Sequence, residues 1–247
     1  MRAGVVAVAR PTFDVEFAAE TARRAYRVLE GTGWELAGSA DLVMDGDGLD
    51  AAISDLSAEG IDGLVVLQAS FADSTLVAPL SALGVPMVLW AFPEDRTGGR
   101  LRINSLCGIN LAGYALSLGD TTYGFLYRDP DDPAVSQELA DAFAGSPASK
   151  PRAAHADGAV AERAAEIAAR LRDTKVGVIG DRPDGFEPCG FDAELTASVI
   201  GPRIEKRELP ATFAAASAVA PVEIAPLRET VGERLAGIDD VDQEEVD

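Results

Sequence analysis

Histidine occurs once in the 247 residues, cysteine twice, and phenylalanine, tyrosine and tryptophan together make up only 6 %. One histidine leaves no histidine cluster for a metal and no histidine-based nucleophile relay. His155 sits in a polar, alanine-rich stretch and reads as an exposed loop residue. The two cysteines, Cys107 and Cys189, are separated by 81 intervening residues and make no disulfide framework, so a reducing cytoplasm is the expected compartment. Basic residues are also scarce, 21 against 41 acids, for a net charge of −20. Nucleic acid and anionic membranes are therefore not expected as partners, since both need a basic stripe. No apolar run approaches the roughly 20 residues of a membrane span. The opening MRAGVVAVARPTFD is too short in its apolar part for a secretory signal and reads as a buried strand.

What the chain does have is alternation. GVVAVA (4–9) is continuous and β-branched, as a strand covered on both faces should be. Helical spacing follows over 13–30, with Asp14 as a candidate N-cap and Phe17 three residues on. Strands are expected at 34–39, 63–68, 85–91 and 123–127, and helices at 48–60, 70–84 and 103–119. Such alternation specifies an α/β fold, a Rossmann- or flavodoxin-like open parallel sheet with helices on both faces. Ala9-Arg10-Pro11-Thr12 follows the first strand where a dinucleotide fold would carry GxGxxG, which weakens the dinucleotide reading.

After DPDDP the composition shifts. Residues 1–145 read as the first domain, and 146–158, rich in Ser, Pro, Ala and Gly, as a linker. Residues 159–247 read as the start of a second α/β unit, with a helix over 159–173, strands near 174–183 and 203–209, and a disordered acidic tail. Two strands are too few to close a stable sheet of their own, so this unit either leans on the first or, as expected here, is the truncated opening of a larger domain.

In an open parallel sheet, ligands sit beyond the carboxyl ends of the strands. The first strand ends at Arg10, the third at Gln68, Ser70 and Phe71, and the fourth at Trp90, Phe92, Glu94 and Arg96. An arginine, an amide, aromatic faces and a carboxylate on one edge suit a polyhydroxylated small molecule. Other readings of the same residues stay open. Trp90 fits a core, Arg10 could pair with Glu94 or Asp95 to hold the loop, and Gln68 could satisfy backbone groups. The Gly98–Gly99 pair in TGGR permits a turn and is also compatible with an anion-cradling loop. Cys107 reads as a small buried hydrophobe.

The stretches ARPTFD, VVLQASFADST, VLWAFPEDRTGGRLRINSLCGINLA and VGVIGDRPDGFEPCGFD resemble the L-fucose isomerase family in its fucose-isomerase-like branch, over about residues 4–235. The resemblance implies a cytoplasmic, hexameric aldose–ketose isomerase that uses a divalent metal, usually Mn2+, to polarise an open-chain sugar while a carboxylate moves a proton through an enediol. It also implies that the metal ligands lie in C-terminal sequence beyond this chain, which alone would be inactive. The expected contribution here is positioning. Arg10 matches the family's arginine after the first strand, and Gln68 to Phe71 match a substrate-lining segment without the tryptophan that some members carry there. Arg10, Gln68, Phe71, Trp90, Glu94 and Arg96 are thus the expected substrate-binding residues, with no metal or catalytic residue assigned. A stand-alone sugar- or effector-binding module and a phosphate-binding regulator are the competing functions.

Overall fold

The computed structural model describes residues 1–95, 98–119, 121–144, 158–235 and 237. The expected linker, His155 and Arg96 fall largely or wholly outside them. The chain forms two compact units, Met1–Ala154 with Arg182–Phe191, and His155–Asp181 with Asp192–Asp247.

The first unit is built on five parallel strands, β1 (Arg2–Val8), β2 (Glu35–Val43), β3 (Gly63–Gln68), β4 (Met87–Ala91) and β5 (Tyr123–Tyr127), in the order β2-β1-β3-β4-β5. This is the flavodoxin-like order, with its switch point between β1 and β3. β1, β3 and β4 are the continuous apolar runs, and nearly every residue in them is buried, because helices cover both faces. Helices α1 (Val15–Glu30) and α4 (Val135–Phe143) cover one face. Ala18, Ala22, Ala25, Leu29, Val135 and Leu139 there meet Val5, Leu67, Val88 and Trp90. Helices α2 (Gly46–Glu59) and α3 (Ser105–Leu118) cover the other, bringing Leu49, Leu56, Ile109 and Leu116 onto Val6, Val66 and Leu89.

Local chemistry sets the element ends. The Asp14 side chain accepts from the Phe17 amide at 3.0 Å and caps α1, as its spacing indicated. β2 runs four residues past its expected end, through a register shift opposite Val5 and Ala7. Gly38 sits there at φ 86°, where a Cβ would lie 2.3 Å from the Val5 carbonyl oxygen. The helix expected over 70–84 is instead two 3₁₀ segments, Ser74–Leu76 and Ala78–Leu83. Pro79 lacks the N–H that a continuous α-helix would need at that point.

The second unit holds α5 (Gly158–Arg172), β6 (Lys175–Ile179), α6 (Ala193–Val199), β7 (Arg203–Arg207), α7 (Leu209–Ser217) and α8 (Pro221–Arg234). β6 and β7 form a two-stranded parallel sheet. None of α6, α7 or α8 has a buried residue, and Phe213, Val222 and Leu227 are exposed, as expected of a sheet too small to bury both faces. No single helix among the described residues is long and apolar enough to cross a membrane.

Candidate functional site

The carboxyl ends of β1, β3 and β4 are stitched together by backbone. The Ala69 amide donates to the Val8 carbonyl at 2.9 Å, and the Arg10 amide to the buried Ser70 Oγ at 3.0 Å. Buried Ser105, the first residue of α3, donates its hydroxyl to the Gln68 carbonyl at 2.5 Å and accepts from the Phe92 amide at 3.0 Å. The loop after β4 is tied in on both sides: the Asp14 amide reaches the Arg102 carbonyl at 3.0 Å and the Phe71 amide the Ile103 carbonyl at 2.6 Å. Much of the polar sequence after the fourth strand is therefore a seam across the switch-point crevice.

Over that seam lies a row of aromatic rings. Phe71 stands between Phe13, with centroids 5.6 Å apart, and Phe186, at 5.9 Å. Phe186 arrives on the segment Arg182–Phe191, which folds onto the first unit. The buried Ser74 holds that segment, donating its amide to the Gly185 carbonyl at 3.2 Å and bonding the Glu187 carboxylate through its hydroxyl. Gly185, at φ 78°, is pressed so closely on Asp73 that a Cβ would approach its carboxylate to 2.7 Å.

Three guanidinium groups lie over aromatic rings here, two of them on this row and the third on Phe17. Arg10 lies 5.6 Å from the Phe71 centroid, and its nearest carboxylate is Asp73 at 3.9 Å, in place of the expected Glu94 or Asp95. Arg102 lies 4.0 Å from the Phe17 centroid and donates Nε and Nη2 to Asp14 Oδ2 at 2.9 and 2.8 Å. Asp14 is held below its usual carboxyl range, first by the Phe17 amide and then by Arg102. Arg100 lies 5.1 Å from the Phe13 centroid and donates Nη2 to the Thr12 carbonyl at 2.8 Å.

The structure brings two of the six expected site residues together, Arg10 and Phe71. Arg96 lies outside the described residues. Gln68, Trp90 and Glu94 go elsewhere, each for a physical reason. In register, Leu67 pairs with Trp90 and Gln68 with Ala91, so the amide and the indole leave the sheet on opposite faces. Trp90 is wholly buried against Phe92 in the α1–α4 core, and its indole N–H donates to the Arg128 carbonyl at 3.1 Å. Gln68 is wholly buried beneath Gly108 of α3, where a Cβ would come within 2.4 Å of its Nε2. Its Nε2 donates to the Ser70 carbonyl at 3.1 Å, while its Oε1 finds no partner among the described residues. Glu94 is a strut. Its two oxygens accept the amides of Arg102 at 2.5 Å, Ile103 at 3.2 Å and Asn104 at 2.6 Å. Phe13, Asp73, Arg100, Arg102 and Phe186 join the rim without having been singled out in the sequence.

Among the described residues no three His, Cys, Asp or Glu side chains gather as a metal site, and the Mn2+ ligands that the resemblance implies are expected in sequence beyond this chain. Cys107 and Cys189 are both free, and burial raises the Cys107 thiol. A separate groove of about 520 Å3 lies between β2 and α2. It is lined by Asp41, Asp45 and Asp55 and by no basic residue, which disfavours an anionic ligand there.

Residues 4–150 match the family model described as fucose/sulfoquinovose isomerase, N-terminal domain. The sulfoquinovose isomerase of Alkalicoccus urumqiensis is 28% identical over 229 residues, 92% of this chain and 47% of that protein. That of Priestia aryabhattai is 25% identical over 209 residues, 84% of this chain and 43% of its own length. That of Clostridium sp. (strain MSTE9) is 30% identical over 155 residues, 59% of this chain and 30% of its own. The chain thus spans less than half the length of these relatives. With more than half of its residues under that family model, on the sheet whose crevice carries the aromatic and arginine rim, the chain belongs to the fucose/sulfoquinovose isomerase family of sugar isomerases.

Proposed function

We propose that this chain is the substrate-lining N-terminal part of an aldose–ketose isomerase whose substrate is a sulfonated hexose of the sulfoquinovose type. The observation that carries the reading is the Phe13–Phe71–Phe186 row with Arg10 against it, at the switch point of a flavodoxin-like sheet. Aromatic faces take the C–H side of a sugar ring or open chain, and a guanidinium offers several fixed donors to its hydroxyls. Arg10 suits that role because, among the described residues, its one carboxylate contact is at 3.9 Å and leaves most of its donors uncommitted. A second support is the name shared by the relatives above, all sulfoquinovose isomerases.

Isomerisation moves a proton between C1 and C2 of the open-chain sugar. The rim groups would fix the hydroxyls and exclude water, a positioning role. The proton-transferring groups and the divalent metal, Mn2+ on the family resemblance, are placed by this reading in the sequence that the longer relatives carry beyond the match. The same reading makes the protein a cytoplasmic homo-oligomer, a hexamer by family resemblance. In support, Leu106, Tyr114 and Leu118 of α3 and Phe125 and Tyr127 of β5 leave large apolar groups exposed on the first unit.

The test is turnover of sulfoquinovose, and of L-fucose as the competing substrate, by the gene product with Mn2+ added, with the ketose followed by NMR. Ketose from the sulfonated sugar supports the reading. Tight sugar binding without ketose in any metal would replace it with the binding-module function.

A further inference from the structure

The rim's three guanidinium groups differ in how much of their charge is spent. Arg102 gives two donors to one carboxylate oxygen of Asp14, a close and charge-assisted contact. Arg10 has Asp73 within 3.9 Å. Arg100 has neither. It is exposed, and its one hydrogen bond among the described residues, to the Thr12 carbonyl, uses a single nitrogen and a neutral acceptor. Among the described residues it forms no ion pair, although the chain carries 41 acids against 21 bases. In so acidic a protein a cation near many carboxylates tends to find one, and an unspent guanidinium over an aromatic ring is a ready anion receptor. Its position is set from both sides. The Glu94 strut fixes residues 102–104, and Gly98 and Gly99, at φ 77° and 113°, turn the loop that delivers it. Arg10 and Arg100 flank the Phe13–Phe71 pair, one against each ring.

From this we propose that Arg100 is the specificity residue for the anionic substituent of the sugar. It receives the sulfonate at the Phe13 end of the aromatic row, while Arg10, against the middle ring Phe71, holds hydroxyls. The inference rests on the isomerase reading for the identity of the ligand. The geometry suits it chemically, because a guanidinium fork can give two parallel N–H donors to two of the sulfonate's three oxygens. An uncharged 6-deoxy sugar offers nothing to that fork.

The test compares sulfoquinovose with uncharged 6-deoxyglucose in wild type, Arg100→Gln and Arg100→Lys. Two measurements are made: kcat/KM of the gene product, and calorimetric binding to the 247-residue chain. Arg100→Gln is expected to lower kcat/KM for the sulfonated sugar about 10- to 100-fold, chiefly through KM, as loss of charged hydrogen bonds does. The uncharged sugar should change by less than about 2-fold, and lysine, which keeps the charge but not the fork, should restore part of the loss. An equal fall for both sugars would make Arg100 a loop residue and overturn the proposal, as would no change for either. If wild type converts neither sugar, the isomerase reading fails. Arg100-dependent binding of the sulfonated sugar to the chain would then still support the subsite, and equal binding of the two sugars would overturn it.

Discussion

Replacing Glu94 with alanine separates two roles that the sequence left open for it, ligand and strut. Its carboxylate accepts three consecutive backbone amides, those of Arg102, Ile103 and Asn104. Ile103 is wholly buried, so its amide cannot turn to water without moving the loop. A hydrogen bond to a charged group contributes about 1.5–3 kcal/mol net. The three here share one carboxylate, and Arg102 at the edge is exposed, so the sum is set well below full additivity, at about 3 kcal/mol. For a unit of this size about 1 kcal/mol moves Tm by roughly 2–4 °C, so Glu94→Ala should unfold about 6–12 °C below wild type. Glu94→Gln keeps one carbonyl acceptor but turns an NH2 group on the remaining amides, and should fall between the two. The assay is calorimetric unfolding with sugar binding measured in parallel. A Tm within about 1 °C of wild type, together with lost sugar affinity, would refute the strut and restore Glu94 as a ligand contact.

Trp90→Phe should lower stability by about 3 kcal/mol or somewhat less, since it leaves a cavity and strands the Arg128 carbonyl, yet should leave sugar affinity unchanged at temperatures where the variant is folded. A matching loss of affinity would return the indole to the site. Asp14 is held below its ordinary value of 3.8, so its folded form favours the carboxylate. The stability it adds is present above that value and is lost as pH falls through the lower folded one. The advantage of wild type over Asp14→Asn in urea unfolding should therefore be constant from about pH 5 to 7 and close below about pH 3.8. A constant difference down to pH 2 would contradict this. Burial raises the Cys107 thiol, so it should react with iodoacetamide at pH 8 far more slowly than exposed Cys189, a comparison read by peptide mass spectrometry.

The fold was largely legible because its strands are written as unbroken apolar runs. β1, β3 and β4 are buried on both faces, and no alternation is needed to find them. Capping by Asp14 was legible for the same reason, since the motif and its target lie three residues apart. The site was less so. That polar chemistry gathers at the strand ends follows from topology, but which side chains meet depends on register between strands. Gln68 and Trp90 both end apolar runs, and a one-residue offset sends them to opposite faces. Phe186 reaches Phe71 from more than 100 positions away, and no local pattern records that return. Arg100 and Arg102 look alike in RLR. Only the fold decides that Arg102 faces the Asp14 carboxylate while Arg100 meets a neutral carbonyl.

The most direct test is a crystal structure with the open-chain polyol of sulfoquinovose, 6-deoxy-6-sulfoglucitol. The polyol should lie along Phe13 and Phe71, with hydroxyls about 3 Å from the Arg10 guanidinium and its sulfonate toward Arg100. Binding in the aspartate-lined groove between β2 and α2, or anywhere else that leaves Arg10 and Phe71 untouched, would contradict the assignment of this rim.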